Sequence, residues 1–162
     1  MFMDQGKALL LILVANSAPI LVRQIAVLAR LDYPIDFRYR FIDGNRWLGD
    51  SKTWRGLIAA LLATMFCSFI IQTGWGTGLI VGALAMSGDC LSSFCKRRLA
   101  INPSGMALGL DQIPESLLPL LYLHHVWQLD WLDVWLLVVI FMLLELSLSR
   151  ILFRLHIRKR PY

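Results

Sequence analysis

The sequence predicts an all-α membrane protein with five transmembrane helices, in a single domain over residues 1–162. Two observations support this fold class. Hydrophobic residues make up 57% of the chain and its mean hydropathy is +0.62, which is more than a soluble domain of this length needs to cover one core. In addition, among the connections between apolar stretches, Lys and Arg occur only in alternate ones.

Five apolar stretches come near the roughly 20 residues that a helix needs to cross a bilayer. They lie at 7–28, 56–73, 75–94, 113–127 and 132–153. The fourth is short, and its prolines, Pro114 and Pro119, fall near its start, where helices tolerate them best. A four-helix arrangement is therefore an alternative on length alone.

The distribution of Lys and Arg predicts the orientation. Basic residues occur in the loops at about 30–55 and 95–112 and in the C-terminal tail, whereas connections 72–78 and 124–133 contain none. By the positive-inside rule, both loops and the C-terminus are cytoplasmic and the N-terminus is outside. Five spans satisfy this alternation and four do not. The net charge of +5 then reflects topology and contact with anionic membrane lipids, and no nucleic-acid partner is expected.

The end of the third stretch carries an unusual set of charges. If the helix continues, Asp89, Ser93 and Lys96 are spaced i, i+4 and i+7 and share one face, with Arg97 beside them and Arg98 completing a basic triplet. A carboxylate, a hydroxyl and ammonium groups on one face suit a metal ion that carries phosphates.

The first basic loop contains a turn signal and a possible anion site. Asp43-Gly44 follows alternating aromatic residues and predicts a hairpin. Lys52 precedes the second helix and Arg55 lies in its first turn, so that the amides of the helix start and these cations would bind an anion. Alternatively, each cation is simply an anchor at the lipid headgroups. Asp43 and Asp50 argue against this alternative, because the membrane topology does not require acidic residues in the loop.

Several other polar residues lie in or next to apolar stretches and have two interpretations each. Asn16, near Pro19 in the first helix, either packs at a proline kink or binds a ligand. Glu145 in the last helix is expected to pair with Arg23 of the first. Asp111 either caps the fourth helix or reaches the same metal ion as Asp89.

Glycines at four-residue spacing mark the start of the third stretch. Gly74, Gly78 and Gly82 predict that the second and third helices approach closely.

The residues near the charged cluster exclude some chemistries. No serine with a neighbouring base is visible there, and no histidine is close to the cluster. A phosphate that attacks another phosphate is already an anion, so it needs neither a general base nor a covalent intermediate, only relief from charge repulsion and alignment. The pattern therefore favours transfer between a lipid phosphate and a nucleotide triphosphate at the membrane boundary.

Four ordered motifs, together spanning nearly the whole chain, resemble those of the CDP-archaeol synthase family of membrane cytidylyltransferases. They are Asp43-Gly-x-Arg46, Gly49-Asp50-x-Lys52-Thr53-x-Arg55-Gly56, Gly88-Asp89 with Lys96-Arg97-Arg98, and Gly109-Leu110-Asp111-Gln112. A more distant likeness is to phosphatidate cytidylyltransferases. That family's second aspartate has no counterpart here, since Pro114 or Glu115 stands near its position.

The resemblance implies transfer of CMP from CTP to a lipid phosphomonoester, either phosphatidic acid or an ether-lipid analogue, with Mg²⁺ as cofactor and the active site facing the cytoplasm at the inner membrane. It implies Asp89 and Asp111 as metal ligands and Lys96 as a further catalytic residue. The substrate-binding residues that it implies are Asn16, Asp50, Lys52, Arg55, Ser93, Arg97 and Arg98. The rival interpretation is non-enzymatic, a small transporter or lipid-binding scaffold. It is less favoured because the polar residues concentrate in the inner half of the helices.

Overall fold

The computed structural model describes residues 2–23, 32–101 and 107–154, and these form a bundle of five α-helices. The helices are α1 Phe2–Val22, α2 Trp54–Ile70, α3 Trp75–Arg98, α4 Gln112–Trp127 and α5 Trp131–Arg154. The predicted all-helical architecture is confirmed over these ranges. Part of the first predicted stretch, from residue 24 onward, lies outside the described residues.

Three helices are long and apolar enough to cross a membrane. These segments are Met3–Val22, Trp75–Arg98 and Trp131–Ile151. The α2 helix is apolar but has only 17 residues, and α4 has 16. The described residues thus include three candidate membrane spans, whereas the count of five crossings and the orientation stay predictions.

Consecutive helices pack against each other, and α1 contacts each of the other four. Because the chain reverses direction between neighbours, the C-terminal ends of α1, α3 and α5 lie at the same end of the bundle as the N-terminal ends of α2 and α4. We call this the polar end. The opposite end is closed by an apolar core that includes Leu11, Val81, Leu120, Val134 and Phe141.

The contact between α2 and α3 depends on two of the three predicted glycines. A Cβ added at Gly78 would lie 2.3 Å from the carbonyl oxygen of Thr64, and one at Gly82 would lie 2.3 Å from the Thr64 hydroxyl. Gly74 has a different role from the one predicted, because it lies in the turn before α3 with φ of +89°. A Cβ added there would lie 4.0 Å from the Thr77 hydroxyl. Close approach is therefore confirmed at Gly78 and Gly82.

Replacing Gly78 by alanine should separate α2 from α3, because backbone atoms cannot yield as a flexible side chain can. We expect a loss of about 1–3 kcal/mol, the usual cost of overpacking, measured as a lower thermal midpoint in detergent. Gly76→Ala is the matched control, since nothing lies within 4 Å of a Cβ at that position. Equal midpoints for the two variants would contradict the proposed contact.

Candidate active site

The centre of the polar end is an ion pair between Lys52 and Asp89. The ammonium Nζ of Lys52 contacts the Asp89 carboxylate directly, and the two side chains are only 17% and 21% exposed. Burial alone would lower the pKa of Lys52, but Asp89 and Glu115 favour its charged form and raise the pKa above that of an ordinary lysine. Lys52 is therefore positively charged at any physiological pH.

Local backbone structure fixes Lys52 at the start of α2. Thr53 caps the helix, its hydroxyl accepting a hydrogen bond from the amide of Gly56 at 3.3 Å. The carbonyl of Lys52 accepts a hydrogen bond from the amide of Ile35 at 2.9 Å, and the amide of Trp54 donates to Tyr33 at 3.1 Å. The loop before α2 thus holds the lysine next to the end of α3.

Glu115, which the sequence analysis did not assign to the site, lies beside Asp89. The two carboxyl groups are close enough for a hydrogen bond, and Glu115 is 6% exposed. A Cβ added at Gly88 would lie 2.2 Å from the carbonyl oxygen of Pro114, so α3 and α4 touch backbone to backbone at this level. The available signal in the sequence was an acid at the edge of an apolar stretch.

The predicted pairing of Glu145 with Arg23 does not fit the structure. Arg23 is exposed at the end of α1, whereas Glu145 lies near Glu115 and acts on it electrostatically. The packing of α5 on α4 places Glu145 near Glu115.

Lys96 and Asp111 form a second ion pair, with 2.7 Å between Nζ and Oδ1 and side-chain exposures of 12% and 18%. Asp111 makes no side-chain capping bond to α4. Its Oδ2 accepts only a long hydrogen bond from the amide of Ala107 at 3.4 Å, while the amide of Gly109 donates to the Gln112 side chain at 2.9 Å. Capping therefore does not account for Asp111, and its carboxylate is directed toward Lys96.

The predicted face of α3 forms, because α3 continues to Arg98. Ser93 is buried on this helix with 3% of its surface exposed, and Lys96 is close enough to Asp89 to act on it electrostatically. The Nε of Arg97 is buried without a hydrogen-bond partner among the described residues. The structure thus brings together Lys52, Asp89, Lys96 and Asp111, with Arg97 next to Lys96 in the chain.

Arg98, whose role as a phosphate-binding residue stays a prediction, contacts the loop in this structure. Its Nη1 lies 2.8 Å from the Asp43 carboxylate, and its Nη2 donates a hydrogen bond to the carbonyl of Arg46 at 2.8 Å. The guanidinium also lies over the rings of Phe41 and Phe94, 4.8 and 4.9 Å from their centroids. Arg98 therefore attaches the loop to the end of α3.

The loop itself forms the predicted tight turn at Asp43-Gly44. The amide of Gly44 donates to Phe41 at 2.9 Å and the amide of Phe41 donates to Asn45 at 2.8 Å, with Gly44 at φ of +78°. A single antiparallel bridge joins Arg40 and Arg46. The hairpin is confirmed as a turn, and in the described residues it is too short to form a regular strand.

Asp36 holds this loop together through hydrogen bonds, a role that no sequence pattern predicted. Its carboxylate accepts hydrogen bonds from the Arg46 guanidinium at 2.6 and 3.1 Å and from three backbone amides, those of Arg38 at 3.0 Å, Leu48 at 3.1 Å and Gly49 at 3.0 Å. Burial alone would raise the pKa of Asp36, but these donors stabilise the anion and lower the pKa to about 2.

The other predicted site residues are bound elsewhere. Asp50 is 77% exposed and pairs with Arg46 at 3.0 Å. Arg55 is buried and pairs with Asp32 at 3.1 Å. The Asn16 side chain donates to the carbonyl of Ile12 at 3.1 Å, which is the helix-packing alternative. In the contacts of the described residues, none of the three joins the Lys52–Asp89 pair.

Two cavities meet at the polar end. A small one beside Lys52 and Asp89 is lined also by Pro19 and Met86, so it lies where α1, α2 and α3 converge. A larger one of about 500 Å³ lies in the loop and is lined by aromatic side chains, including Phe37 and Trp47. Ile35 lines both cavities, which makes them neighbours.

The carboxylates of the polar end fit a magnesium ion that arrives with phosphates. Among the described residues, no three His, Cys, Asp or Glu side chains come together as a ready metal site. Magnesium usually takes only one or two protein carboxylates and completes its shell with water and substrate phosphates. Asp89 with Glu115 beside it, and Asp111 next to Lys96, supply donors of this kind.

Loss of the Asp36 contacts should destabilise the loop in a pH-dependent way. Because the folded-state pKa is depressed, the stabilisation is present above the unfolded-state pKa of about 3.9 and is lost as pH falls toward 2. It amounts to about 2 kcal/mol at neutral pH. Hydrogen exchange of the amides of residues 38–49 should therefore quicken in Asp36→Asn at pH 7, and in the wild type between pH 4 and pH 2.

Asp50→Asn is the matched control for Asp36→Asn, since Asp50 binds the same Arg46 from an exposed position. We expect little change in exchange for this variant. Equal exchange in the two variants would show that Asp36 does not organise the loop.

Replacing Arg98 should release the loop from α3. In Arg98→Gln we expect faster amide exchange and easier proteolysis at residues 40–47, because the ion pair and the cation–π contacts are lost together. Arg97→Gln, one residue earlier, should leave that region unchanged. Loosening of the loop in the Arg97 variant, or none in the Arg98 variant, would contradict the assignment.

The chain is similar to proteins of one family over most of its length. The sequence profile of the family described as CarS-like, CDP-archaeol synthase, matches residues 7–162. A CDP-archaeol synthase of Sulfurisphaera tokodaii is 34% identical over 135 residues, covering 80% of this chain and 81% of that protein. A CDP-archaeol synthase of Pyrococcus furiosus is 28% identical over 158 residues, covering 91% and 90%.

A solved structure shares the fold. It is described as an intramembrane enzyme for archaeal membrane lipids biosynthesis, and it superposes with a TM-score of 0.72 at 26% identity. The match covers 88% of this chain and 90% of that one. The helix bundle is therefore an arrangement that a membrane enzyme also adopts.

Proposed function

Because this chain belongs to the CarS-like, CDP-archaeol synthase family, we propose that it transfers CMP from CTP to a membrane lipid phosphomonoester, giving a CDP-lipid and pyrophosphate. The observation that carries the proposal is the pair of buried lysine–carboxylate contacts, Lys52 with Asp89 and Lys96 with Asp111. In each pair, an ammonium group that would bind phosphate lies next to a carboxylate that would bind magnesium.

The polar end would face the cytoplasm. The chain is an integral membrane protein, in keeping with its three long apolar helices, and in the proposed topology all five helices cross the inner membrane with the N-terminus outside. The basic loops then lie on the cytoplasmic side. CTP would enter from the cytoplasm and meet the lipid phosphate at the headgroup level of the same leaflet.

In the proposed reaction an oxygen of the lipid phosphate attacks the α-phosphorus of CTP. A new P–O bond forms, the bond between the α-phosphorus and the bridging oxygen breaks, and pyrophosphate leaves. Lys96 and Arg97 would bind the triphosphate, and Lys52, which lines the cavity between α1, α2 and α3, would bring the two phosphates together. Magnesium, held by Asp89 and Asp111 with Glu115 beside Asp89, would neutralise phosphate charge.

The loop cavity is the roomier of the two neighbouring cavities, with about 500 Å³ against about 30 Å³ at Lys52. The loop cavity, with its aromatic lining, would hold the nucleoside, while the cavity at Lys52 opens among the helices. We favour an ether-linked archaeol phosphate as acceptor, as the names of the relatives suggest, with phosphatidic acid as the alternative. A transporter is disfavoured because an apolar core fills the bundle opposite the polar end.

Pyrophosphate release tests the proposal. Purified protein in detergent is given CTP, Mg²⁺ and either archaeol phosphate or phosphatidic acid, with each component omitted in turn. We expect release that requires all three components and is faster with the ether lipid. No release with either lipid, from protein that elutes as a folded species, would refute the function.

Asp89→Asn should lower turnover by at least about 10²-fold, because it weakens the metal site while keeping the shape of the side chain. Asp130→Asn is a control, since Asp130 is exposed in the connection between α4 and α5, at the opposite end from the site. Near-normal pyrophosphate release by Asp89→Asn would remove Asp89 from the reaction.

A further inference from the structure

Both carboxylates assigned to magnesium are already neutralised by lysines assigned to phosphate. Lys52 contacts Asp89, and Lys96 lies 2.7 Å from Asp111. All four side chains are at least three-quarters buried. In this arrangement one oxygen of each carboxylate, Oδ2 of Asp89 and Oδ1 of Asp111, is in contact with an ammonium group.

Because these ion pairs are buried, neither charge can lose its partner without a replacement. A buried charge needs a partner, and removing one member of a buried pair leaves the other uncompensated at a large cost. A divalent cation that bound Asp89 alone would place a second positive charge beside the buried Lys52 ammonium and would leave Glu115 as its remaining acidic neighbour. The same argument applies to Lys96 at Asp111.

A nucleotide triphosphate removes this conflict. As the metal ion takes the carboxylates, the phosphate oxygens offer the displaced lysines a new anionic partner. We propose that Lys52 and Lys96 exchange partners during binding, from carboxylate in the empty site to phosphate in the loaded one, so that metal ion and triphosphate bind as a unit.

The exchange rests on the proposed function and adds the restriction that the metal ion binds together with the triphosphate. Without nucleotide, the lysines compete with divalent cations and keep the carboxylates from binding them. The two lysines therefore have effects of opposite sign, because they oppose the metal ion by itself and favour the metal ion together with the triphosphate. A lysine with a merely structural role would not weaken binding of the metal ion alone and strengthen its binding together with the triphosphate.

Two binding measurements on the full chain in detergent test the exchange. In the first, Mn²⁺ is titrated without nucleotide, and free Mn²⁺ is followed by its electron paramagnetic resonance signal. Removing one competing charge at close range should raise Mn²⁺ affinity about tenfold in Lys52→Met and in Lys96→Met. Lys52→Arg keeps the cation and should stay at the wild-type affinity.

In the second measurement, binding of radiolabelled α,β-methylene CTP is followed at a fixed Mn²⁺ concentration. Here Lys52→Met and Lys96→Met should bind more weakly than the wild type. Lys7→Met is the matched control for both measurements, because Lys7 lies at the other end of α1, away from the polar end. Size-exclusion profiles and thermal midpoints check that each variant is folded, and Lys96→Met carries the test if Lys52→Met does not fold.

The proposal is overturned if the folded methionine variants bind Mn²⁺ no better than the wild type. It is also overturned if nucleotide binding is unchanged in both. Neither measurement involves turnover, so they separate the exchange from the function. If the wild type releases pyrophosphate but the variants show no gain in Mn²⁺ affinity, the proposed function stands and the proposed partner exchange is wrong.

Discussion

The arrangement of the polar end depends on the need to pair Asp89. A carboxylate near the end of an apolar helix is costly unless it has a cation or hydrogen-bond donors. Lys52 supplies that cation from a loop that lies far from Asp89 in the sequence, and the contact fixes the start of α2 against the end of α3. The neighbouring Lys96–Asp111 pair does the same between α3 and the start of α4.

The two ends of the bundle differ, because one contains the apolar core and the other contains the charged groups. Glycines let the backbones of neighbouring helices come close together. Gly78 and Gly82 do so between α2 and α3, and Gly88 does so between α3 and α4. At the apolar end this proximity gives a filled core. At the polar end it brings charged groups from separate helices within reach of one another. Rigid packing at one end thus supports a charged site at the other.

Much of the fold could be predicted from the sequence, because apolar runs and turn residues act locally. The helices, the turn at Gly44 and the close glycine contacts follow from patterns within a few residues, and the family resemblance is confirmed by the profile match. The site was predictable only where a motif marked it. Asp36 and its donors are separated by up to 13 residues, and Glu115 reaches Asp89 from another helix, so neither pairing leaves a local pattern.

The most direct measurement is a crystal structure of the protein with α,β-methylene CTP and Mn²⁺, with the metal ion located by its anomalous scattering. We expect an anomalous peak between the Asp89 carboxylate and the phosphates, with Lys52 and Lys96 now bound to phosphate oxygens. A nucleotide bound elsewhere, with the Lys52–Asp89 and Lys96–Asp111 pairs intact, would contradict it.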